Sequence, residues 1–480
     1  APDKASGTLI FKKPVFNSDI VATVQFYNKA FECADCGFYR KQWQYFGVPV
    51  KSAKFPFADV TGTETVNRWD ETFNGDKWRP TTGTLNAFAG YQITNNVTTL
   101  PNDVYNFQGL LNVGNANVAL TKTANVNYSG INLVSNSYTA AIPISTDAMT
   151  FPSDAEQTVY LFNTGTRDQW RKLNGQAINQ DGYRSGQYLA VPVNLGGTLN
   201  FPDRIPSTHS FMILTDGGGD LNINYMKLTK NTKVNKGDGT QIVTRSVDSN
   251  NNTSTSEQVS AIQQLPSLVM DVIGEESADR VWIFQQSSAT HDFDNGLDGR
   301  KLLEDGIAQL YVNAADDSKL QVATVPELKD VTLGFVPDRD GKFTLDFLMS
   351  GQLKGVDIYL YDSLNDTTTK VGDGQSYSFS AKKGDSQNRF SLTSSAKNAF
   401  LSIDESLLEV TSTTGGKIMV VNNSSKVLSA FVYDSNGAFV QRVEVDANGK
   451  ATIKDGLIKG MYMVRLQNSE VNDVRRVIVE

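Results

Sequence analysis

Fold class is decided by residues 411–480, TSTTGGKIMVVNNSSKVLSAFVYDSNGAFVQRVEVDANGKATIKDGLIKGMYMVRLQNSEVNDVRRVIVE. Apolar residues run or alternate over short segments such as 427–433 and 439–445, and the turns Asp434–Gly437 and Asp446–Gly449 follow them. Asn-Gly pairs are favoured in such turns because both residues tolerate the positive φ that tight hairpins need. The stretch holds some six or seven strands of this kind, which is the size of one immunoglobulin-like sandwich.

Composition extends this prediction to the whole chain. The 480 residues are 39% hydrophobic and 20% charged, with 38 glycines and no long helical period. A chain of this length holds more than one domain, and short strands at regular spacing with polar turns indicate an all-β protein. We therefore predict tandem β-sandwich (jelly-roll-like and immunoglobulin-like) domains.

The predicted boundaries follow the strand patterns and one polar stretch. We expect an N-terminal extension at 1–19, a jelly-roll-like β-sandwich at 20–232, a second β-sandwich at 233–404, and an immunoglobulin-like domain at 405–480. The second sandwich would include a loop at 246–258 that is almost free of hydrophobic residues, as flexible connections are.

Two segments of the last domain carry a resemblance to a known family. Val432–Val440 (VYDSNGAFV) and Gly460–Leu466 (GMYMVRL) resemble the C-terminal sorting domain of the type IX secretion system of Bacteroidetes. The family more often has β-branched residues or leucine where this chain has Met461 and Met463. The resemblance implies that residues 411–480 direct export, that the secretion machinery is a partner, and that the protein is extracellular or on the outer-membrane surface.

Two further resemblances lie upstream. Trp43–Val50 and Gly130–Ile142 resemble a module found near the ends of large Bacteroidetes surface proteins, although Ile131 replaces the module's tryptophan. Asp279–Phe284 and Tyr377–Phe379 resemble a β-sandwich module that commonly precedes the sorting domain. Neither resemblance implies an enzymatic activity.

Charge and hydropathy exclude several classes of function. The net charge of −8 is spread along the chain without a basic face, which argues against nucleic acid as a partner. Apolar runs fall short of the roughly 18 residues that a spanning helix needs, so we expect no transmembrane segment. The N-terminus lacks the features of a signal peptide, so we expect that any signal peptide has already been removed, or equally that the chain is the C-terminal part of a longer one.

Cys33 and Cys36 form a lone C-x-x-C. Thioredoxin-like redox motifs need a βαβ context, and zinc needs two more ligands. His209 and His291 are the only histidines of the chain. The remaining interpretations are a local disulfide in an exported protein or two ordinary thiols.

A metal site is predicted in one acidic loop. Asp292, Asp294 and Asp298 offer carboxylate oxygens within a few residues, and Ca²⁺ prefers such ligands. The ligand register is not that of an EF-hand. Acidic turns also serve simply to reverse a β-chain, and this alternative stays open. No other cofactor is expected.

Trp69 and Trp78 are the candidate binding surface, because they lie among charged residues and turns where a ring could stack on a sugar. Tryptophans at strand positions also serve as core residues. No G-x-S-x-G, H-E-x-x-H or P-loop motif occurs, and we predict that the protein is not an enzyme.

The predicted function is therefore a non-catalytic binding, adhesion or scaffolding role on the cell surface, with a glycan or a surface protein as the ligand. The alternative is a polysaccharide-active enzyme or carbohydrate-binding module. An enzyme of that class needs two carboxylates at a defined separation. A cleft with paired carboxylates beside exposed tryptophan would favour the alternative.

Overall fold

The structure, a computed structural model, describes eighteen stretches of the chain. They are residues 7–11, 20–28, 30, 42–57, 64–95, 104–164, 186–199, 201–231, 265–275, 277–303, 306–353, 356–393, 408–413, 416–423, 426–434, 439–453, 457–467 and 472–479. The predictions for Cys33, Cys36, the polar loop 246–258 and most of the extension 1–19 lie outside the described residues.

The chain divides into two compact units, residues 1–394 and 395–480. Within the stretches above, the regular elements are β-strands and three short 3-10 turns (Val193–Leu195, Tyr225–Lys227 and Gly351–Leu353). The predicted all-β fold class is thereby confirmed. No helix in the described part of the chain is long and apolar enough to cross a membrane.

The first part of unit 1 contains seventeen short strands. They are β1 (Val21–Tyr27), β2 (Gln44–Phe46), β3 (Ser52–Phe55), β4 (Glu64–Trp69), β5 (Trp78–Pro80), β6 (Gly83–Asn86), β7 (Tyr91–Asn95), β8 (Val104–Leu110), β9 (Ala116–Leu120), β10 (Ile131–Ser135), β11 (Ile142–Pro143), β12 (Met149–Thr150), β13 (Thr158–Phe162), β14 (Tyr188–Pro192), β15 (Arg204–Ile205), β16 (Ser210–Leu214) and β17 (Gly219–Ile223).

These strands form small antiparallel sheets stacked around two cores. The larger sheets have the orders β2-β7-β4-β5, β10-β16-β13-β14 and β12-β17-β9, and the pairs β1-β8, β3-β6 and β11-β15 accompany them. Phe46, Ile93 and Phe107 lie in one core, and Tyr160 and Phe211 lie in the other. Strand β7 is buried along its whole length, because sheet faces on both sides of it are covered.

The second part of unit 1 contains eleven strands. They are β18 (Ser267–Ile273), β19 (Ala278–Gln285), β20 (Gly299–Arg300), β21 (Gln309–Asn313), β22 (Lys319–Val325), β23 (Val331–Val336), β24 (Gly341–Ser350), β25 (Ile358–Asp362), β26 (Thr367–Val371), β27 (Ser376–Ala381) and β28 (Phe390–Thr393).

All eleven strands belong to one sheet of order β26-β25-β28-β23-β21-β22-β19-β18-β24-β27, with β20 paired to β22. The sheet folds over its own core and brings its two outermost strands, β26 and β27, together. Thr367 Oγ1 of β26 lies 3.4 Å from the Tyr377 hydroxyl of β27. Strand β24 places Phe343, Leu345 and Phe347 inward with the alternation that a half-buried strand requires.

The two parts of unit 1 share one hydrophobic core. Trp282, Phe284 and Val322 from β19 and β22 are buried in the same cluster as Ala190 and Val191 of β14. Residues far apart in sequence therefore exclude water from a common interior, and separating the two parts would expose that apolar surface.

Unit 2 contains seven strands in two sheets. They are β29 (Leu408–Thr413), β30 (Lys417–Asn422), β31 (Leu428–Tyr433), β32 (Phe439–Val445), β33 (Gly449–Ile453), β34 (Gly460–Gln467) and β35 (Asn472–Val479). The sheet orders are β29-β30-β33 and β32-β31-β34-β35. Val420, Val432 and Val464 lie in the core of this unit. Two antiparallel sheets of three and four strands are the arrangement of an immunoglobulin-like sandwich.

Candidate functional sites: an aromatic chain and an acidic loop

Trp69 and Trp78 form a pair. Trp69 ends β4, Trp78 begins β5, and the two residues face each other in the antiparallel register. Their ring centroids are 5.2 Å apart and the rings meet edge to face at 78°, a favoured geometry for aromatic pairs. The Trp69 indole N–H donates a hydrogen bond to the Ile131 carbonyl at 2.6 Å. Both side chains are partly buried, and their role in binding stays a prediction.

The pair is the middle of a continuous aromatic chain, which we define as Tyr128, Trp69, Trp78, Tyr45 and Phe162. Centroid distances along it are 6.5 Å from Tyr128 to Trp69, 5.0 Å from Trp78 to Tyr45, and 4.2 Å from Tyr45 to Phe162. Exposure falls from 63% at Tyr128 to 7% at Tyr45. The aromatic chain therefore runs from the surface into the core, and Tyr128 is its exposed end.

Glu71 ties the β4–β5 hairpin to the loop that carries Tyr128. Its buried carboxylate accepts hydrogen bonds from the backbone N–H groups of Thr123 at 2.8 Å and Gly130 at 2.9 Å. The hydroxyls of Thr123 and Thr121 donate two more, at 2.7 and 3.1 Å. Burial acts to raise the pKa of Glu71, but these donors outweigh it and hold the pKa below its usual value.

Neither Tyr128 nor Glu71 was among the residues that the sequence pattern selected. The available signal for Tyr128 is a single aromatic residue in the mostly polar segment Thr121–Gly130. Glu71 gives no local signal, because its partners lie some 50 residues along the chain and only the tertiary fold brings them together.

The acidic loop is organised by its own backbone. Asp294 accepts a hydrogen bond from the Thr290 N–H at 2.6 Å, and Asp298 accepts one from the Asp294 N–H at 2.8 Å. The Thr324 N–H of β22 donates to the second oxygen of Asp298 at 2.6 Å. Asp298 is buried, whereas Asp292 is exposed. These bonds are those of a turn that reverses the chain and anchors it to the sheet.

The pKa of Asp298 is raised to about 7, chiefly by burial and in smaller part by the nearby charges of Asp294 and Asp316, while the two backbone donors favour the charged form and oppose the rise. Among the residues that the structure describes, no group of three or more His, Cys, Asp or Glu side chains is arranged to hold a metal ion. A cation in this loop would have to displace the proton of Asp298 and regroup the side chains. The calcium hypothesis stays a prediction.

Another buried polar cluster joins strands β25 and β28. Arg389 makes two hydrogen bonds to the Asp362 carboxylate, at 2.8 and 2.7 Å, and the Tyr377 hydroxyl donates a third at 2.9 Å. The two charged side chains are 2% and 1% exposed. Burial acts to raise the pKa of Asp362, but Arg389 and Tyr377 outweigh it, so the pKa is lowered. All of these contacts stabilise the fold of the second part.

A relative of known name covers nearly the whole chain. The minor fimbrium subunit Mfa5 of Porphyromonas gingivalis is 47% identical to this chain. The alignment is 491 residues long with its gaps, and it covers 99% of this chain and 38% of the relative. The chain thus spans 38% of the length of that protein. The predicted extracellular or cell-surface location is confirmed by this relationship, as is the broader resemblance to Bacteroidetes surface proteins.

Two solved structures align weakly. A biofilm-associated protein BSP domain is 10% identical, with 98% of this chain and 99% of that chain covered and a TM-score of 0.12. Dimeric latent PorU from Porphyromonas gingivalis is 9% identical, with 79% of this chain and 35% of that chain covered and a TM-score of 0.12. At these scores neither alignment bears on the fold or the function.

A family model matches residues 29–393, which include every strand given above for unit 1 except β1, and all of the candidate sites above. Its description is "Domain of unknown function (DUF8693)". The match covers well over half of the 480 residues, and the chain belongs to this family.

Proposed function

We propose that the chain is a non-catalytic structural and adhesive part of a fimbrium-like assembly on the cell surface. The observation that carries the proposal is the 47% identity to a minor fimbrium subunit over 99% of the chain. At that identity we expect the two proteins to share one fold over the aligned region. A subunit of a fibre needs rigid modules and exposed contact surfaces rather than a catalytic cleft.

The construction of unit 1 supports a structural role. Its two parts are joined by a common apolar core and by hydrogen bonds between buried groups, such as that from the Thr158 hydroxyl to the Asp298 carbonyl at 2.8 Å. Modules joined by a loose linker would move independently, whereas a shared core makes them one rigid body. Rigidity of this kind suits a subunit that holds its binding surfaces away from the cell.

Unit 2 would serve as the secretion signal. The sequence supports this proposal, because two segments of unit 2 resemble the type IX sorting domain: Val432–Val440, which begins in β31 and ends in β32, and Gly460–Leu466 in β34. Unit 2 also has its own core, so it can fold and be recognised without contributing residues to unit 1. The secretion machinery would then be its partner.

The first experiment tests assembly. Fimbriae are sheared from cells that produce the protein and are probed with an antibody to unit 1, both by immunoblot and by immunogold electron microscopy. We expect labelled fibres and co-purification of the protein with the fibre fraction. Protein that is exposed on the cell but absent from the fibre fraction would contradict a fimbrial role.

The second experiment tests export separately. Residues 395–480 are deleted, which removes unit 2 and leaves unit 1 intact. We expect the truncated protein to be protected from protease added to whole cells, while the full chain is digested. Equal digestion of both proteins would refute the secretion-signal role and would leave the proposed assembly function standing.

A further inference from the structure

Tyr128 is held in an unusual conformation at the surface. Its side chain is 63% exposed, and its backbone φ is +53°, in the left-handed region that bulky side chains rarely adopt. Such a conformation persists only where the surrounding structure enforces it, and it occurs most often at functional sites. The Tyr128 carbonyl accepts the Ile131 N–H at 3.3 Å and its ring contacts Trp69, so the turn and this contact hold the exposed ring in one place.

The surroundings enforce the conformation from both ends of the loop. Glu71 binds the backbone N–H groups of Thr123 and Gly130, which lie on either side of Tyr128. Gly130 itself has a φ of +79°, and a Cβ there would lie 2.1 Å from the Thr215 carbonyl oxygen. The loop end therefore packs directly on the neighbouring strand. The buried carboxylate and this close packing fix where Tyr128 stands.

Trp69, the ring that Tyr128 contacts, is also held in one orientation. Trp69 is oriented by its indole hydrogen bond to Ile131 and by the edge-to-face contact with Trp78. Tyr128 meets Trp69 at 63° between the ring planes, so the two rings form a corner rather than a flat stack. Rings held in place before a ligand arrives lose little conformational entropy on binding.

The loop around this corner offers hydrogen-bonding groups, and the charged residues on either side of Trp69, Arg68 and Asp70, are paired with each other at 2.8 Å. The segment Thr121–Gly130 supplies the exposed side chains of Asn125 and Asn127. Its one charged residue, Lys122, is paired with Asp216 at 2.8 Å. Tyrosine with Asn and Ser is also the composition that antibody loops use for recognition, since the ring supplies rigid contact area and the amides supply adaptable hydrogen bonds.

We propose that Tyr128, Trp69 and the loop Thr121–Gly130 form a binding platform for a neutral pyranose unit of a glycan. The C–H face of the sugar would lie against the Tyr128 ring, and its hydroxyls would bond to the amides of Asn125 and Asn127. An acidic sugar would find the one cationic residue of the loop, Lys122, already paired with Asp216. The inference rests on the proposed adhesive function, for which it names the ligand class and the surface.

The test uses the full chain and a panel of neutral hexasaccharides (gluco-, manno-, xylo- and galacto-configured), with sialylated and uronic-acid oligosaccharides as charged probes. Binding is measured by tryptophan fluorescence titration and saturation-transfer NMR up to about 10 mM, a range that covers weak single-site binding. We expect at least one neutral probe to bind. We also expect its binding signal to weaken when the Tyr128 ring is removed. Binding of charged probes alone, or of none, would overturn the proposal.

Variants locate the site. Tyr128→Asn removes the ring but tolerates positive φ, so the loop is preserved, and Tyr128→Phe keeps the ring and removes only the hydroxyl. We expect the first to weaken binding about tenfold or more and the second to retain it, as loss of an aromatic contact predicts. Phe439→Ala is the matched control, because Phe439 is 59% exposed in unit 2. Wild-type affinity of Tyr128→Asn would refute the platform.

A separate readout distinguishes this inference from the proposed function. The Tyr128→Asn variant is expected to enter fimbriae normally, since the Tyr128 side chain is exposed and its loss removes a surface ring contact with Trp69. If the Tyr128→Asn variant binds the probe as tightly as wild type and the protein still enters fimbriae, the glycan inference fails and the assembly function stands. If wild-type protein binds the probe but is absent from fimbriae, the assembly function fails and the platform stands.

Discussion

The side chain of Gln321 accepts a hydrogen bond from the backbone N–H of Ala190 at 2.7 Å. Its amide nitrogen donates to the Tyr188 carbonyl at 3.0 Å, so one buried side chain satisfies both a donor and an acceptor of strand β14 from strand β22. Gln321 therefore supplies to the backbone of β14 the acceptor and the donor that a neighbouring strand would supply. The two parts of unit 1 are therefore linked at the level of the backbone as well as by their common core.

Replacing this glutamine should weaken the link. In Gln321→Leu the side-chain volume is roughly kept, but the Ala190 N–H and the Tyr188 carbonyl lose their partner. An unsatisfied buried polar group costs about 1–3 kcal/mol, and we expect a loss of that size in the free energy of unfolding. Urea denaturation followed by tryptophan fluorescence measures it. Gln375→Leu, at an exposed turn, is the control and should change stability by less than about 0.5 kcal/mol.

The contacts of Gln321 could not be predicted from the sequence, whereas several strands and turns could. Strands such as β24 and β31 are recognisable because inward and outward residues alternate with the period of a pleated sheet. The turn after Asp446 is recognisable from its Asn-Gly pair. Gln321 carries no comparable signal, because a polar residue inside a strand pattern indicates a solvent-facing position unless its buried partners are known.

For the candidate sites, too, the sequence indicates the residues, and the tertiary structure sets their contacts and burial. Trp69 and Trp78 are conspicuous in the sequence, but their cross-strand contact depends on the register of β4 and β5, which the residues alone do not set. The acidic loop was selected for its carboxylates, and the geometry adds that Asp298 is buried while Asp292 is exposed. Local composition thus finds candidate residues, and tertiary packing decides which of them share one environment.

Glu71 should control the order of the loop that carries Tyr128. In Glu71→Ala four donors lose their acceptor, two of them the backbone N–H groups of Thr123 and Gly130. We expect a loss of about 1–3 kcal/mol in stability and faster amide hydrogen exchange at Thr123 and Gly130. Exchange measured by NMR or mass spectrometry tests this local effect. The exposed Asp220→Asn is the control, and unchanged exchange in Glu71→Ala would contradict the role of Glu71.

The calcium hypothesis makes a different prediction for the acidic loop. If Asp292, Asp294 and Asp298 bind Ca²⁺, excess calcium should raise the melting temperature relative to chelator, because a ligand that binds only the folded state stabilises it. The effect should be larger at pH 8 than at pH 6, since burial raises the pKa of Asp298 to about 7 and the cation must displace its proton. Differential scanning fluorimetry measures both.

Asp294→Asn should abolish the calcium effect without unfolding the protein, because an amide oxygen can still accept the Thr290 hydrogen bond. Asp385→Asn, at a partly exposed turn outside the acidic loop, should leave the effect intact. Equal melting temperatures in calcium and chelator at both pH values would remove the hypothesis and leave the loop as a turn.

The buried pair of Asp362 and Arg389 should make the stability of unit 1 sensitive to acid. The folded-state pKa of Asp362 is lowered below its usual value near 3.8. Its contribution is therefore fully present above that usual value and is lost as the pH falls through the lower folded-state pKa. Asp362→Asn should cost ~3 kcal/mol or more at pH 7, because Arg389 is left as a buried charge without its carboxylate.

Once the pH falls below the lowered folded-state pKa of Asp362 the two proteins should converge, since protonated Asp362 no longer pairs with Arg389 either. Urea denaturation of wild type and Asp362→Asn at a series of pH values from 7 downward measures the difference in the free energy of unfolding. A difference that stays constant through the whole series would mean that packing, rather than the charge of Asp362, accounts for the cost. Asp385→Asn, in a partly exposed turn where an amide oxygen can still accept the Lys382 N–H, should show a small difference at every pH.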